Sequence, residues 1–139
     1  MWQELSTGIK AIVVQCTKID SAYVYEYAKN NINGYPAVTI TPSDGDGDFA
    51  DTRRNKRTYT FSVRVHQERT KAGDEKSERI MREIVDDLIE LFDANYYLDG
   101  ARLQGRGFAR PIPSTWAFVQ TEQSDVRVAE ILIACSVIQ

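Results

Sequence analysis

Asp44, Asp46, Asp48 and Asp51 crowd one short stretch, and Arg53, Arg54, Lys56 and Arg57 follow at once. Alternating carboxylates of the form D-x-D-x-D open the calcium loop of an EF-hand. Here the template fails later: its sixth position is Phe49, where a Gly makes the sharp turn, and its twelfth is Asn55, where a Glu binds the ion with both oxygens. A small metal-dependent hydrolase would have to use the same four aspartates in an unconventional site. The plainer expectation is a solvated loop tip, since Asp and Gly are turn formers. What sets the stretch apart is its sign change: one arm holds acids only, the other bases only.

Other chemistry is sparse. His66 is the single histidine, so a multi-histidine zinc site is excluded and any Ser-His or Cys-His mechanism would depend on it. It stands in a polar row with Arg64 and Glu68, which predicts a surface position. Asp86, Glu90 and Asp93 share one helical face at spacings of four and three, with Asp87 beside them. Paired carboxylates do acid–base work when one is buried, but these lie opposite an apolar stripe and belong to a solvated face. Arg102, Arg106 and Arg110 recur among Gly100, Gly105 and Gly107, a basic stretch suited to a partner or to DNA phosphates. Neither G-x-x-x-x-G-K-S/T nor G-x-G-x-x-G occurs. Cys16 and Cys135 sit in apolar patterns and are expected as buried free thiols. The residues offer no catalytic set, no cofactor and no metal-ligand group.

The elements that would carry these residues follow from periodicity. Trp2, Leu5, Ile9, Ile12, Val13 and Cys16 recur every three or four residues, the apolar face of a first helix. Alternation predicts a strand over Ser21–Ala28, then a turn-rich link through Asn30, Asn31, Asn33 and Gly34. Pro36 suits the start of the next strand, with Val38 and Ile40 facing one way and Thr39 and Thr41 the other. After the charged stretch, Tyr59, Phe61, Val63 and Val65 alternate with Thr58, Thr60, Ser62 and Arg64, a half-buried strand. Ile80, Met81, Ile84, Val85, Leu88, Leu91 and Phe92 form the wide stripe of a second helix, capped near Asp74 and ending near Ala94. Asp99–Pro113 is expected as a loop, followed by strands over Thr115–Thr121 and Val126–Ile138 with a turn at Gln123 and Ser124. The last strand is apolar on both faces, which predicts an interior position.

A chain of 139 residues at 42% hydrophobic and 27% charged is a single globular domain, 1–139. Its net charge of -3 argues against a general nucleic-acid binder. No apolar run reaches the ~18 residues of a membrane span, and the start MWQELSTGIKAIVV lacks the positive region of a signal peptide, so a cytoplasmic origin and no membrane partner are expected. The fold class is α+β: an antiparallel sheet of about four to five strands, two helices on one face, and a long protruding β-hairpin over Tyr35–Glu68.

Four phrases carry a family resemblance: GYPAVTITPSD, RRNKRTYTFSVRVHQERT, SERIMREIVDDLIELFD and VRVAEILIACSVI. In these and in its layout, from first helix to last strand, the chain resembles the tail terminator (tail completion) proteins of long-tailed bacteriophages. Gly100–Pro113 matches no feature of that pattern. The resemblance implies a structural virion protein of the tail and neck, assembled in the host cytoplasm. It would form a hexameric ring on the tail tube protein and stop tube polymerisation. It would also present a joining surface to the head-side connector or neck protein. DNA would pass through the lumen without sequence-specific binding, and no catalysis is implied.

A ring needs a heterologous interface, in which two different patches of one subunit meet on successive copies. The acidic arm and the basic arm supply such a pair, choosing register and partner while apolar surface supplies affinity. Arg102, Arg106 and Arg110 are expected at a partner or lumen contact. The alternatives are a head-completion or neck connector protein, the metal-dependent hydrolase, and a nucleic-acid-binding module built on the two basic stretches.

Overall fold

The computed structural model describes residues 2–23, 34, 36–49, 55–68, 74–96, 98, 107–120 and 125–138. In chain order these form α1 (Trp2–Val13), β1 (Ser21–Tyr23), β2 (Ala37–Phe49), β3 (Asn55–Glu68), α2 (Asp74–Ala94), β4 (Gly107–Gln120) and β5 (Asp125–Ile138). The five strands make one sheet in the order β1-β2-β3-β5-β4. This is the expected α+β class, with the expected succession of helix, strand, paired strands, helix and paired strands.

Three details differ from the sequence expectations. The sheet is mixed, because β1 runs parallel to β2; the stretch 24–36 between them has the dozen or more residues that a parallel connection needs. The part of the first strand expected over 24–28, the link at 30–33 and the turn at 123–124 lie outside the described residues. β4 begins at Gly107, so 107–113 is strand rather than loop. Asp44, Asp46 and Asp48 lie in β2 and Lys56 and Arg57 in β3, not in a loop between them. The β-forming run Thr58–Phe61 keeps the ladder going past the aspartates, and a bulge between Pro42 and Asp44 absorbs the change of register.

The helices pack against one face of the sheet. Leu5, Ile9 and Ile12 of α1, and Met81, Leu88 and Phe92 of α2, are fully buried. They form one cluster with Val38 and Ile40 of β2, Phe61 and Val63 of β3, and Ile131 and Ile133 of β5. Burial of each such side chain contributes about 1.5–3 kcal/mol before the entropy of ordering is subtracted. Trp2 fixes the start of α1 by edge-on ring contacts to Tyr59 (centroids 4.7 Å apart) and Phe61 (5.2 Å). Cys16 and Cys135 are buried and free. Burial alone pushes the Cys135 thiol up to about 12.

β5 lies between β3 and β4; Ile131, Ile133, Cys135 and Val137 are buried, and Leu132 and Ala134, on the face away from the helices, are half-buried. One acid interrupts that pattern. Glu130 accepts a hydrogen bond from Ser62 Oγ at 2.6 Å and another from Arg64 Nε at 3.2 Å. The face away from the helices is thus tied across β3 and β5 by a polar group rather than by apolar contacts.

Candidate subunit-contact surface

The two charged arms are two strands of one ladder. Thr60 stands opposite Asp44, Thr58 opposite Asp46, Lys56 opposite Asp48, and Arg57 opposite Gly47. Asp48 and Lys56 therefore take opposite positions in the ladder of a single chain. Arg57 is exposed. Asp51, Arg53 and Arg54 lie outside the described residues. Extended backbone also sharpens the argument against a calcium loop. Successive aspartates at every second position of a strand are about 7 Å apart, whereas calcium ligands converge to ~2.3–2.6 Å around one ion on a sharply turned loop.

The direction of the backbone groups along β2 follows from its proline. In an antiparallel ladder a residue turns its N–H and C=O to the same side, and successive residues alternate. Pro42, Phe61, Ile133 and Pro111 form one row across the sheet. Proline has no N–H to give, so both prolines fit only if this row turns outward at β2 and β4 while Phe61 and Ile133 bond each other. Beyond the bulge, Gly45 is opposite Tyr59, Gly47 opposite Arg57 and Phe49 opposite Asn55. These residues keep the outward phase, and Asp44, Asp46 and Asp48 turn toward β3. β1 flanks β2 only at Ala37–Thr39 among the described residues. Gly45, Gly47 and Phe49 thus present their N–H groups along the outer edge of β2.

The opposite edge is closed from residue 109 to 113. Pro111 and Pro113 stand in the outward phase of β4 and lack the donor. Ala109, in the same phase, donates its N–H to the Tyr96 carbonyl. That contact is held by the turn after α2: Leu98 N–H bonds the Asn95 carbonyl at 2.9 Å, and Leu98 takes a left-handed φ of 52° with its side chain fully buried. A left-handed leucine is uncommon, and here core packing holds it. Arg110 is exposed on β4; Arg102 and Arg106 lie outside the described residues.

His66 corrects its expectation. It is buried rather than on the surface, with Nε2 3.0 Å from Thr39 Oγ1. Its neighbours in the row are Ala37 and Val128, both themselves buried. The Thr39 contact ties β2 to β3. Asp86, Glu90 and Asp93 are exposed as expected. Beside them an open cleft of about 280 Å³ is lined by Gln15, Cys16, Thr17, Asp87, Glu90 and Leu91. Lys18 closes on Asp87 at 2.8 Å and approaches Glu83 at 3.9 Å. Its hydrogen bond to Asp87 raises the ammonium above its usual pKa.

At the other end of α2, Glu78 receives Arg82 at 2.7 Å and Arg127 of β5 at 3.3 Å. The charge of Arg82, reinforced by Arg127, holds the Glu78 carboxyl below its usual range. Among the described residues no three His, Cys, Asp or Glu side chains form a group that could hold a metal. No described helix is long and apolar enough to cross a membrane, a statement that does not reach strands.

Sequence reasoning missed the outward phase of the two edges and the Ser62–Glu130–Arg64 group. Both had signals: Pro42, Pro111 and Pro113 inside alternating stretches, and a lone acid within VRVAEILIACSVI.

No protein-family model matches the chain, and no curated protein matches it. Among solved structures, the chain is similar to one described as "Virion of native gene transfer agent (GTA) particle". The TM-score is 0.47 at 14% identity, covering 94% of this chain and 84% of that chain.

Proposed function

We propose that this chain is a structural virion protein, a tail terminator that caps the tail tube as a hexameric ring. In this role it stops tube polymerisation, offers the head-side connector a joining surface, and leaves a lumen through which DNA passes without sequence-specific contact. The observation that carries the reading is the asymmetry of the sheet. Among the described residues, the outward donors of β4 from 109 to 113 are absent or bonded while β2 past Thr39 has no strand beside it, a difference that suits a head-to-tail contact between unlike patches rather than a two-fold one. The sequence resemblance names the assembly such a contact would serve.

The subunit contact is assigned to the hairpin arms: Asp44, Asp46, Asp48 and Asp51 on one side, Arg53, Arg54, Lys56 and Arg57 on the other. Lys56 takes the ladder position opposite Asp48 in its own chain, and Arg57 is exposed. Arg102, Arg106 and Arg110 are assigned to a partner or lumen contact.

Light scattering and negative-stain microscopy of the free chain and of chain added to tail tubes test this function. Rings on tube ends, with tubes no longer growing, are the expected result. A strict monomer both free and with tubes contradicts it. Binding to filled heads but not to tubes would instead make the protein a head-completion factor.

A further inference from the structure

The two helices on one face of the sheet turn different surfaces outward. On α2 the exposed residues include Arg79, Arg82, Glu83, Asp86, Glu90 and Asp93, an ordinary solvated face. On α1 the exposed residues are Gln3, Thr7 and Ala11, continued past its end by Val14 and Gln15, and none is charged. Two of these side chains already have partners: Thr7 Oγ1 donates to the Gln3 carbonyl at 2.9 Å, and Gln15 Nε2 to the Ala11 carbonyl at 3.4 Å. Val14 is 57% exposed. Burying this face takes an apolar side chain out of water and leaves those two donors satisfied. Depletion of charge is also what marks the core of an interface.

The face of the sheet away from the helices carries a second uncharged surface. Thr58 and Thr60 of β3 and Leu132, Ala134 and Ser136 of β5 are only half-buried, and Ile112 of β4 is 40% exposed. Helices on both faces of a sheet are a stable layering, and the dimensions agree. β5 from Glu130 to Ser136 spans about 20 Å, and α1 from Gln3 to Val14 spans about 17 Å. α1 lies on the other side of its own sheet, so only a second copy can bring it to this face.

Charge completes the fit. At about 100° per residue, Glu4 and Lys10 fall on opposite rims of the α1 face, roughly 12 Å apart. Arg110, exposed on β4, stands in one row with Ala134 and Thr60, and that row ends at Asp44 on β2. Base and acid thus hold the two ends of the row, three strand spacings or ~14 Å apart. An α1 seated with Glu4 toward β4 brings Lys10 toward β2.

We infer that the α1 face of one copy, centred on Ala11, seats on the outer sheet face of the next copy, centred on Ala134. Uncharged surface supplies the affinity, and the pairs Glu4–Arg110 and Lys10–Asp44 set the orientation. The two patches are unlike and lie on opposite faces of the molecule, so the contact is head-to-tail. It deepens the proposed ring by naming an apolar contact for it, and it rests on that reading only in that copies associate.

Disulfide trapping tests the contact. Ala11→Cys and Ala134→Cys chains are oxidised at millimolar concentration, each alone and mixed in equal amounts. Cys16 and Cys135 are buried, so the wild-type chain serves as the blank. Mass spectrometry should find the mixed disulfide at least tenfold above either homodimer. Ala11→Arg, an exposed change to a good helix former, should weaken association at least tenfold by sedimentation equilibrium. Arg110→Glu should weaken it as well, and Glu4→Arg in the same chain should restore it to within about threefold of the original.

The cysteine pair decides the matter if Ala11→Arg loses its native circular dichroism. Absence of the mixed disulfide overturns the inference, as does wild-type association through a natively folded Ala11→Arg chain. An excess of Ala134→Cys homodimer overturns it too, because two sheet faces would then meet. Tail tubes capped normally by Ala11→Arg remove the contact and keep the proposed function. A mixed disulfide in a chain that never stops tube growth keeps the contact and removes that function.

Discussion

The two edges of this sheet lie in the same rows and follow opposite rules. At β4 each outward donor from residue 109 to 113 is absent or occupied: Ala109 bonds the Tyr96 carbonyl, and Pro111 and Pro113 have none. At β2 the donors of Gly45, Gly47 and Phe49 stand in the matching phase with no described strand beside them. The composition of an edge thus separates two roles. Proline and a covering carbonyl remove the donors of one edge, whereas the other, built of alternating glycine and aspartate, keeps its donors.

The largest break in this comparison comes from moving a proline by one residue. Asp46 turns its N–H toward β3, so Asp46→Pro removes a ladder bond and should cost about 1–3 kcal/mol, read as a lower urea midpoint. Gly47→Pro, on the outward phase, should leave that midpoint nearly unchanged. Equal losses would show that the assigned phase is wrong.

The interior strand between the edges gives the next effect. Glu130→Ala leaves the buried Ser62 hydroxyl without its acceptor and should cost about 1–3 kcal/mol. Chemical denaturation of Glu130→Ala against Ser62→Ala and the double variant would measure the coupling. Additive losses would show that the group does not act as a unit.

Cys135, opposite Ala109 on the closed side, gives a pH-dependent effect. Its folded pKa is raised, from 9.0 to about 12, so its contribution is fully present below pH 9 and is lost as the pH rises from 9 toward 12. By pH 10 the loss should be on the order of 1 kcal/mol. Cys135→Ala should flatten that part of the profile relative to wild type, and parallel profiles would contradict the assignment.

The smallest effect on stability belongs to the closed edge. Pro111→Ala with Pro113→Ala should change unfolding free energy by under ~1 kcal/mol, yet restore two donors to an exposed strand. New association through β4, detected as mass growth that Ala11→Arg does not suppress, is the expected outcome. No new association would mean that the Tyr96 cover alone suffices.

Most of the fold was legible because its elements carry strong periods. The α2 stripe from Ile80 to Phe92 and the alternation of Tyr59 to Val65 gave the right element type and the right buried face. The aspartates misled, because Asp and Gly prefer turns by themselves but are carried into a strand when a long β-forming partner such as Thr58–Phe61 lies beside them. The prolines of 107–113 misled in the same way, since a free edge tolerates what an interior strand does not. His66 was misplaced because burial in a polar row depends on neighbours such as Ala37, which are distant in sequence. The charged arms were visible from residue types alone; that they are opposite strands of one ladder was not, because register is set by the bulge between Pro42 and Asp44.

Amide hydrogen exchange, read residue by residue in the monomeric protein, tests the central claim most directly. The account of the two edges predicts that Gly45, Gly47 and Phe49 exchange quickly. Asp46, Asp48 and Ala109 should be protected. Protection of Gly45, Gly47 and Phe49, or fast exchange at Ala109, would contradict it.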